Sequence, residues 1–296
     1  MANSIDLETV FLQLMDEAYK LESLTADMDA LTQTIDFAGE ATVKVMKLST
    51  VGLGNYSRQN GYPKGDITAV WEAMTLACER GRQFTVDRMD NDESLGLVVG
   101  NLIRTWMREK VAPEIDAYRF AKYASAAGIQ VVGAPTTLTK DTVLDAVDAA
   151  SLALDEAEVP AEGRRLYVSS TVKKMIEAAV ARQLANENTV DRRVQMLDGI
   201  RIIPVPQTRF FTQITLDPGT TTTTGGYSKT AETSKDINFI LMHPTAVLQA
   251  TKLNNVKYFA PEVNQQSDGH LWQYRLYHDA FVYDNHQLGI YLHKKA

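Results

Sequence analysis

The spacing of apolar and polar positions divides the chain into segments of different period. Near its start, Leu7, Val10, Phe11, Leu14, Ala18 and Leu21 recur every three or four residues behind Ser4, a good N-cap, so an amphipathic helix is expected. From Thr25 to Glu40 the pattern dissolves into small and polar residues, which reads as an arm or linker. A strand is expected from Val43 to Leu48, with Val43, Val45 and Lys47 facing one way and Lys44, Met46 and Leu48 the other. Gly52, Gly54, Gly61, Pro63 and Gly65 then mark a loop. The runs Ile67–Ala77 and Arg82–Met89, separated by Cys78-Glu79-Arg80-Gly81, are rich in β-branched and aromatic residues and predict an antiparallel hairpin. Trp71 and Phe84 are large and apolar, but Thr68, Glu72, Thr75, Arg82 and Asp87 leave that hairpin no clean inside. A lone two-stranded hairpin is marginal in water, so something outside it must cover it.

The strongest local signal follows. Asp90 with Glu93 three residues on resembles a capping box, and Leu95, Val98, Val99, Leu102, Trp106 and Met107 hold a helical stripe. Pro113 interrupts it, yet Glu114, Ile115, Asp116, Tyr118, Phe120 and Ala121 resume at once, ending near Gly128. Two helices end to end, or one kinked helix, are expected; roughly 38 residues at ~1.5 Å each reach ~57 Å, which suggests an elongated subunit.

Beyond Thr139 the style changes. Val143, Val147, Ala150 and Leu154 predict a helix, Leu166–Val168 a short strand, and Val172, Met175, Ile176, Ala179 and Val180 another helix. Val194–Leu197 and Ile200–Val205 flank Asp198-Gly199, a strong hairpin turn. Asp217–Ser234, with consecutive threonines and Gly225-Gly226, reads as a flexible surface loop. Ile237–Met242 is expected as a buried strand, Pro244–Lys252 as a short helix, Trp272–Tyr283 as a long strand, and Leu288–His293 closes the chain. Mixed elements without regular βαβ alternation indicate an α+β fold.

Composition narrows the function classes. Hydrophobic residues make up 45% of the 296 and charged residues 23%, which excludes an intrinsically disordered chain. A net charge of −7 argues against a globally basic nucleic-acid coat, and a single cysteine excludes an intramolecular disulfide framework. No run approaches the roughly 20 apolar residues of a membrane span, and Met1–Tyr19 lacks the basic and apolar regions of a secretory signal, so a soluble cytoplasmic protein is expected.

No chemical motif survives inspection. Gly52-Leu53-Gly54 lacks the third glycine and the strand-loop-helix context of a dinucleotide fingerprint. The acidic run Asp87, Asp90, Asp92, Glu93 fails as a calcium loop, because Leu95 and Asn101 occupy the glycine and glutamate positions. His243, His270, His278, His286 and His293 crowd the end of the chain without metal-ligand spacing, and His278 and Asp279 point to opposite faces of a strand. Cys78 has no activating neighbour in sequence, and no G-x-S-x-G elbow is present. No catalytic, metal or cofactor residue is therefore assigned. Lys64, Arg80 and Arg82 put positive charge on the hairpin and its approach, either as a solvated turn or against acidic groups of a neighbouring subunit.

Several segments, in order, resemble a known family. They are Arg80-Gly-Arg-Gln-Phe-Thr-Val-Asp-Arg-Met-Asp-Asn-Asp-Glu93, Val111-Ala-Pro-Glu-Ile-Asp-Ala-Tyr-Arg-Phe-Ala-Lys122, Ile237-Asn-Phe-Ile-Leu-Met-His-Pro-Thr-Ala246, Tyr274-Arg-Leu-Tyr-His-Asp-Ala-Phe-Val-Tyr-Asp284 and Gly289-Ile-Tyr-Leu-His-Lys294. From about Val43 to the end the chain resembles the major capsid proteins of tailed bacteriophages. The resemblance implies the Hong Kong 97-type fold, divided as an N-terminal arm (1–42), an E-loop region (43–89), the spine helix of a peripheral P-domain (90–133), an axial A-domain (134–252), P-domain return strands (253–284) and a C-terminal strand (285–296). It implies a structural protein, not an enzyme, that assembles into hexamers and pentamers of an icosahedral shell around double-stranded DNA. No sequence-specific DNA contact, membrane contact or cofactor is implied, and no covalent cross-link is expected, since Lys64 aligns with no cross-linking lysine. Portal and scaffolding proteins would be partners, and the virion, assembled in the bacterial cytoplasm, the location. Lys64, Trp71, Glu72, Arg80, Arg82 and Phe84 would be subunit contacts. An encapsulin-type shell of the same fold and a soluble α+β enzyme using the C-terminal histidines are the alternatives.

Overall fold

The structure, a computed structural model, describes residues 23–29, 42–59, 61–93, 97–133, 137–180, 194–220 and 224–296. The amphipathic helix expected over Leu7–Leu21 lies outside them.

Strand β1 (Thr42–Thr50) alternates as expected: Val43 is buried, Val45 and Lys47 are half-buried, and Lys44, Met46 and Leu48 are exposed. It pairs antiparallel with β2 (Ile67–Thr75), placing Met46 opposite Trp71 and Val45 opposite Glu72. The glycine-rich loop therefore joins the two arms of one ribbon. The expected pairing of Ile67–Ala77 with Arg82–Met89 does not form. Leu76 turns into the interior and the Ala77 N–H donates to Asp279 Oδ2 at 2.8 Å, so the chain changes sheet at that point. Cys78–Gly81, expected as a turn, are the first residues of β3 (Cys78–Asp87), which pairs with β12 (Gly269–Val282). Trp71 and Phe84 thus lie in different sheets.

Only one short helix, α1 (Ala26–Asp29), is seen before β1 among the described residues, and its root is pinned to the long helix. Helix α2 (Arg88–Glu93) begins three residues earlier than expected, because Asp87 rather than Asp90 accepts the first amide, from Met89 at 2.9 Å. From Leu97 to Ser125 the helix is unbroken: α3 (Leu97–Trp106) passes through a π-helical turn (Met107–Val111) into α4 (Ala112–Ser125). Pro113 explains the π turn. Proline lacks an amide hydrogen and its ring crowds the carbonyl four residues back, and widening the preceding turn removes the conflict. Asp116 of α4 is fully buried and accepts from Ser23 Oγ (2.8 Å), the Leu24 N–H (2.9 Å), Thr25 Oγ1 (2.9 Å) and Arg209 Nη1 (2.9 Å). One carboxylate so ties three distant stretches together.

A six-stranded mixed sheet holds most of the core. Its order is β4 (Gln130–Val131), β13 (Ile290–Lys294), β10 (Ile237–Met242), β5 (Arg165–Ser169), β7 (Ile200–Val205) and β6 (Met196–Leu197). Every residue of β10 is buried, Asn238 included, as in a strand covered on both faces. Phe239 and Leu241 face α5 (Val143–Glu156) and α6 (Ser170–Ala179), joining Val147, Ala150, Leu154, Val172 and Ile176. Ile240 and Met242 face the other way, with Phe120 and Tyr123 of α4, Tyr167 and Phe210. Phe120 packs edge-on to Tyr167 at 5.2 Å and to Phe210 at 5.1 Å. Asp198 and Gly199, both at positive φ, make the expected tight turn between β6 and β7.

The second sheet is β11 (Val247–Phe259), β12 and β3, all antiparallel. The helix expected over Pro244–Lys252 is only a 3-10 turn, Pro244–Ala246, before β11 begins. Its apolar residues pack within a sheet and not along one helical stripe. The boundary placed at residue 253 falls inside β11. Part of the loop expected over Asp217–Ser234 is also ordered: β8 (Ile214–Asp217) pairs with β9 (Gly226–Lys229). One face of the three-stranded sheet carries the long helix, with Trp106 edge-on to Phe84 and Tyr274, each at 5.2 Å. The opposite face is polar, with Arg275 paired to Glu79 and Gln83 bonded to Gln273.

Candidate subunit interface

The β1–β2 ribbon is anchored at one end only. Val43, Met74 and Leu76 join Leu248 and Ala250 in a small cluster with Tyr277, Phe281 and Tyr283 against it, and Lys47 pairs with Asp284 at 3.1 Å. Beyond that root the ribbon is unsupported. Met46, Leu48, Val51, Leu53, Tyr56, Tyr62, Ile67, Val70 and Trp71 are all exposed, more than half of the large apolar side chains left so among the described residues. Trp71 is 63% exposed, Tyr62 87%, and Leu53 is fully in solvent. Scattered exposed apolar residues are ordinary, but a concentrated patch marks an interaction surface.

The sequence-derived contact residues divide between two places. Lys64 and Trp71 are exposed on the ribbon. Glu72 is half-buried on its inner face, where burial and the nearby Asp284 carboxylate raise its pKa above the ordinary value. Arg80, Arg82 and Phe84 lie instead on β3, in the wall of a cleft of about 870 Å³ between the three-stranded sheet, the π turn and the β8–β9 hairpin. Arg80 is engaged within its own chain: Nε donates to Glu114 Oε1 at 2.6 Å, and Nη1 and Nη2 reach the carbonyls of Asp217 (2.8 Å) and Gly226 (3.2 Å). The acidic partner expected on a neighbouring subunit is thus Glu114 of the same chain. Arg82 lies against Gly219 and Gly225, where a Cβ at Gly219 would meet its Nη1 at 2.8 Å. Phe84 packs on Trp106.

Met46, Leu48, Leu53, Tyr56 and Tyr62 were not singled out as contacts by the sequence. The outward set Lys44, Met46, Leu48 was visible in the alternation, but without the β1–β2 pairing it pointed to no continuous face.

The histidines serve the fold separately. His243 Nδ1 accepts from the Thr245 N–H and its Nε2 lies 3.0 Å from Glu162 O. His270 Nδ1 is 2.6 Å from Tyr258 Oη, His286 Nδ1 is 2.9 Å from Thr245 O, and His293 Nδ1 is 3.2 Å from Asn238 Nδ2. His278 is buried edge-on to Tyr118 at 5.3 Å. Among the described residues no three His, Cys, Asp or Glu side chains converge as a metal site, and no helix is long and apolar enough to cross a membrane. Cys78 is buried; burial first, then the Asp279 and Glu114 carboxylates, push its thiol up to about 11. We therefore expect no reaction with an aromatic disulfide reagent at pH 8 in the native protein, and one equivalent released after unfolding in guanidinium. Rapid native labelling would contradict this packing.

The same arrangement of elements recurs in solved structures. The chain aligns with a protein of Mycobacterium phage Che8 at a TM-score of 0.66 and 14% identity, covering 99% of this chain and 98% of that one. It aligns with the capsid structure of the cyanophage P-SCSP1u at 0.67 and 12%, covering 98% and 93%. It also aligns with the capsid of an empty GTA particle at 0.62 and 14%, covering 97% and 95%. No family model matches the sequence. No curated protein matches it either. The chain has the α+β fold of phage capsid proteins.

Proposed function

We propose that the chain is the major capsid subunit of a tailed phage or a related particle, assembling head to tail with copies of itself into hexamers and pentamers of an icosahedral shell. The observation that carries the reading is the β1–β2 ribbon, an apolar two-sided element that its own chain leaves uncovered in a fold matching capsid structures from end to end. A ribbon of that kind is stable when a neighbour covers it. Head-to-tail contacts that close by rotation make rings. The ribbon corresponds to the E-loop, the long helix with the three-stranded sheet to the peripheral lobe, and the six-stranded sheet with α5 and α6 to the axial lobe. The subunit is structural and not catalytic. Its shell encloses double-stranded DNA in the virion, with portal and scaffolding proteins as further partners during assembly in the host cytoplasm.

Electron microscopy of the purified protein tests the reading. Rings or closed shells are expected, and a compact monomer persisting at high concentration would overturn it. The double variant Met46→Asp/Trp71→Asp puts two charges opposite one another on the exposed face of the ribbon. Its melting temperature should stay within about 2 °C of the parent, as surface changes usually do, while assembled particles disappear from the sedimentation profile.

A further inference from the structure

The β8–β9 hairpin belongs by connection to the six-stranded sheet and by contact to the three-stranded one. Its stem is tied between β7 and β10. The Thr212 N–H donates to Lys235 O at 2.9 Å, the Lys235 N–H returns to Thr212 Oγ1 at 2.8 Å, and Phe211 bridges to Asp236. From that stem the hairpin reaches the cleft beside β3, which it lines together with Phe84, Trp106 and Pro113.

Little apolar packing holds it there. No residue of β8 or β9 is buried, and none joins the core clusters; Ile214, Leu216 and Tyr227 are only half-buried. An element with few buried apolar contacts opens at a lower free energy than the sheet that carries it. The Tyr227 hydroxyl donates to Thr208 O at 3.0 Å, a tie back toward the stem and not across the cleft.

Two arginines of β3 grip the far end instead. Arg80 Nη1 and Nη2 donate to the carbonyls of Asp217 and Gly226, the last facing pair of the hairpin, while Glu114 fixes its Nε. The rigid planar fork serves three acceptors at once, which a lysine ammonium cannot do from one position. Arg82 lies alongside. Gly219 and Gly225, both at positive φ, leave the space that its side chain occupies: a Cβ at Gly219 would meet Arg82 Nη1 at 2.8 Å and one at Gly225 would meet it at 3.5 Å.

We propose that the β8–β9 hairpin is a latched lid. Arg80 and Arg82 hold it across to β3, and their release lets it swing on its stem and open the cleft while both sheets stay folded. Opening bares the Phe84 and Trp106 face of the three-stranded sheet and removes the strap between the two sheets. The lid lies within one chain, so its behaviour is independent of whether shells form.

Hydrogen–deuterium exchange of the full chain, kept unassembled at low concentration, tests this in guanidinium below the unfolding transition. In the parent, amides of the β8–β9 ladder should exchange through an opening that hardly depends on denaturant, whereas those of β5 and β10 follow the steeper dependence of global unfolding. Arg80→Gln should speed exchange in the hairpin roughly tenfold or more and leave β5 and β10 unmoved. Arg80→Lys keeps the charge beside Glu114 but not the fork, and should match Arg80→Gln. Hairpin amides that exchange only together with β10 in the parent would overturn the lid, a result that requires no variant to fold. Unchanged hairpin rates in Arg80→Gln, or equal acceleration of the hairpin and β10, would overturn the latch. Parental rates in Arg80→Lys would overturn the fork as the part that holds it.

Discussion

Replacing Asp116 with alanine should lower stability by about 3–5 kcal/mol, the range found when one partner of a buried ion pair is removed. Asp116 and Arg209 are 0% and 3% exposed and lie 2.9 Å apart. The substitution removes the carboxylate beside the buried Arg209 guanidinium and the acceptor of the Ser23, Leu24 and Thr25 donors, of which Thr25 is fully buried. For a chain of this size the melting temperature should fall on the order of 10 °C. Asp116→Asn keeps the shape and part of the hydrogen bonding but removes the charge, and should fall between the two. Because the carboxylate holds Ser23–Thr25 against α4, proteolysis near that root should accelerate more than proteolysis elsewhere. A drop below about 1 kcal/mol in denaturant titrations would show that the three stretches hold together without it.

The second large effect is acid sensitivity through His278. Burial, and secondarily the Arg119 guanidinium, lower its pKa from 6.5 to about 4, with Asp279 opposing. Between those values the unfolded chain takes up a proton that the folded chain refuses, so stability declines as pH falls from about 6.5 to about 4 and is flat above that window. The full loss is about 3 kcal/mol. His293, lowered chiefly by burial, acts in the same direction. His278→Phe keeps an aromatic ring beside Tyr118 and removes the titrating group. Unfolding midpoints measured at pH 7 and pH 4.5 should differ markedly less in this variant than in the parent, and an unchanged pH slope would refute the assignment.

Much of the six-stranded sheet and its helices was legible because their signals are local. Val143, Val147, Ala150 and Leu154 mark a stripe of α5 that is buried as its spacing demands, and Asp198-Gly199 needs only the two residues that make the turn. The apolar stretch Phe239–Met242 of β10 is short and close to a turn signal, which marks a strand covered on both sides. The three-stranded sheet was harder to read, because its pairings are long-range. Adjacent runs usually pair, and Ile67–Ala77 and Arg82–Met89 looked like neighbours. The deciding contact, Ala77 to Asp279, spans 202 positions and leaves no periodic trace. The exposure of the β2 arm was legible in Thr68, Trp71, Glu72 and Thr75, but the hairpin without an inside was a false pairing: Arg82, Phe84 and Asp87 belong to β3, and β1 is the partner of β2. Nothing in the spacing announced Asp116 as a hub, since a carboxylate on a helix is usually solvated.

Strand β3 has a further consequence, which belongs to synthesis. It is complete by Asp87, but its only sheet partner, β12, begins at Gly269. At ribosomal rates of 5–20 residues per second, roughly ten to forty seconds pass between the emergence of one and the other. Throughout that interval both edges of β3 are open, and the nascent chain offers a template for pairing with another chain. Helices α5 and α6 and strand β5 are translated in the meantime and can begin to fold first. The three-stranded sheet is therefore completed only after β12 has emerged.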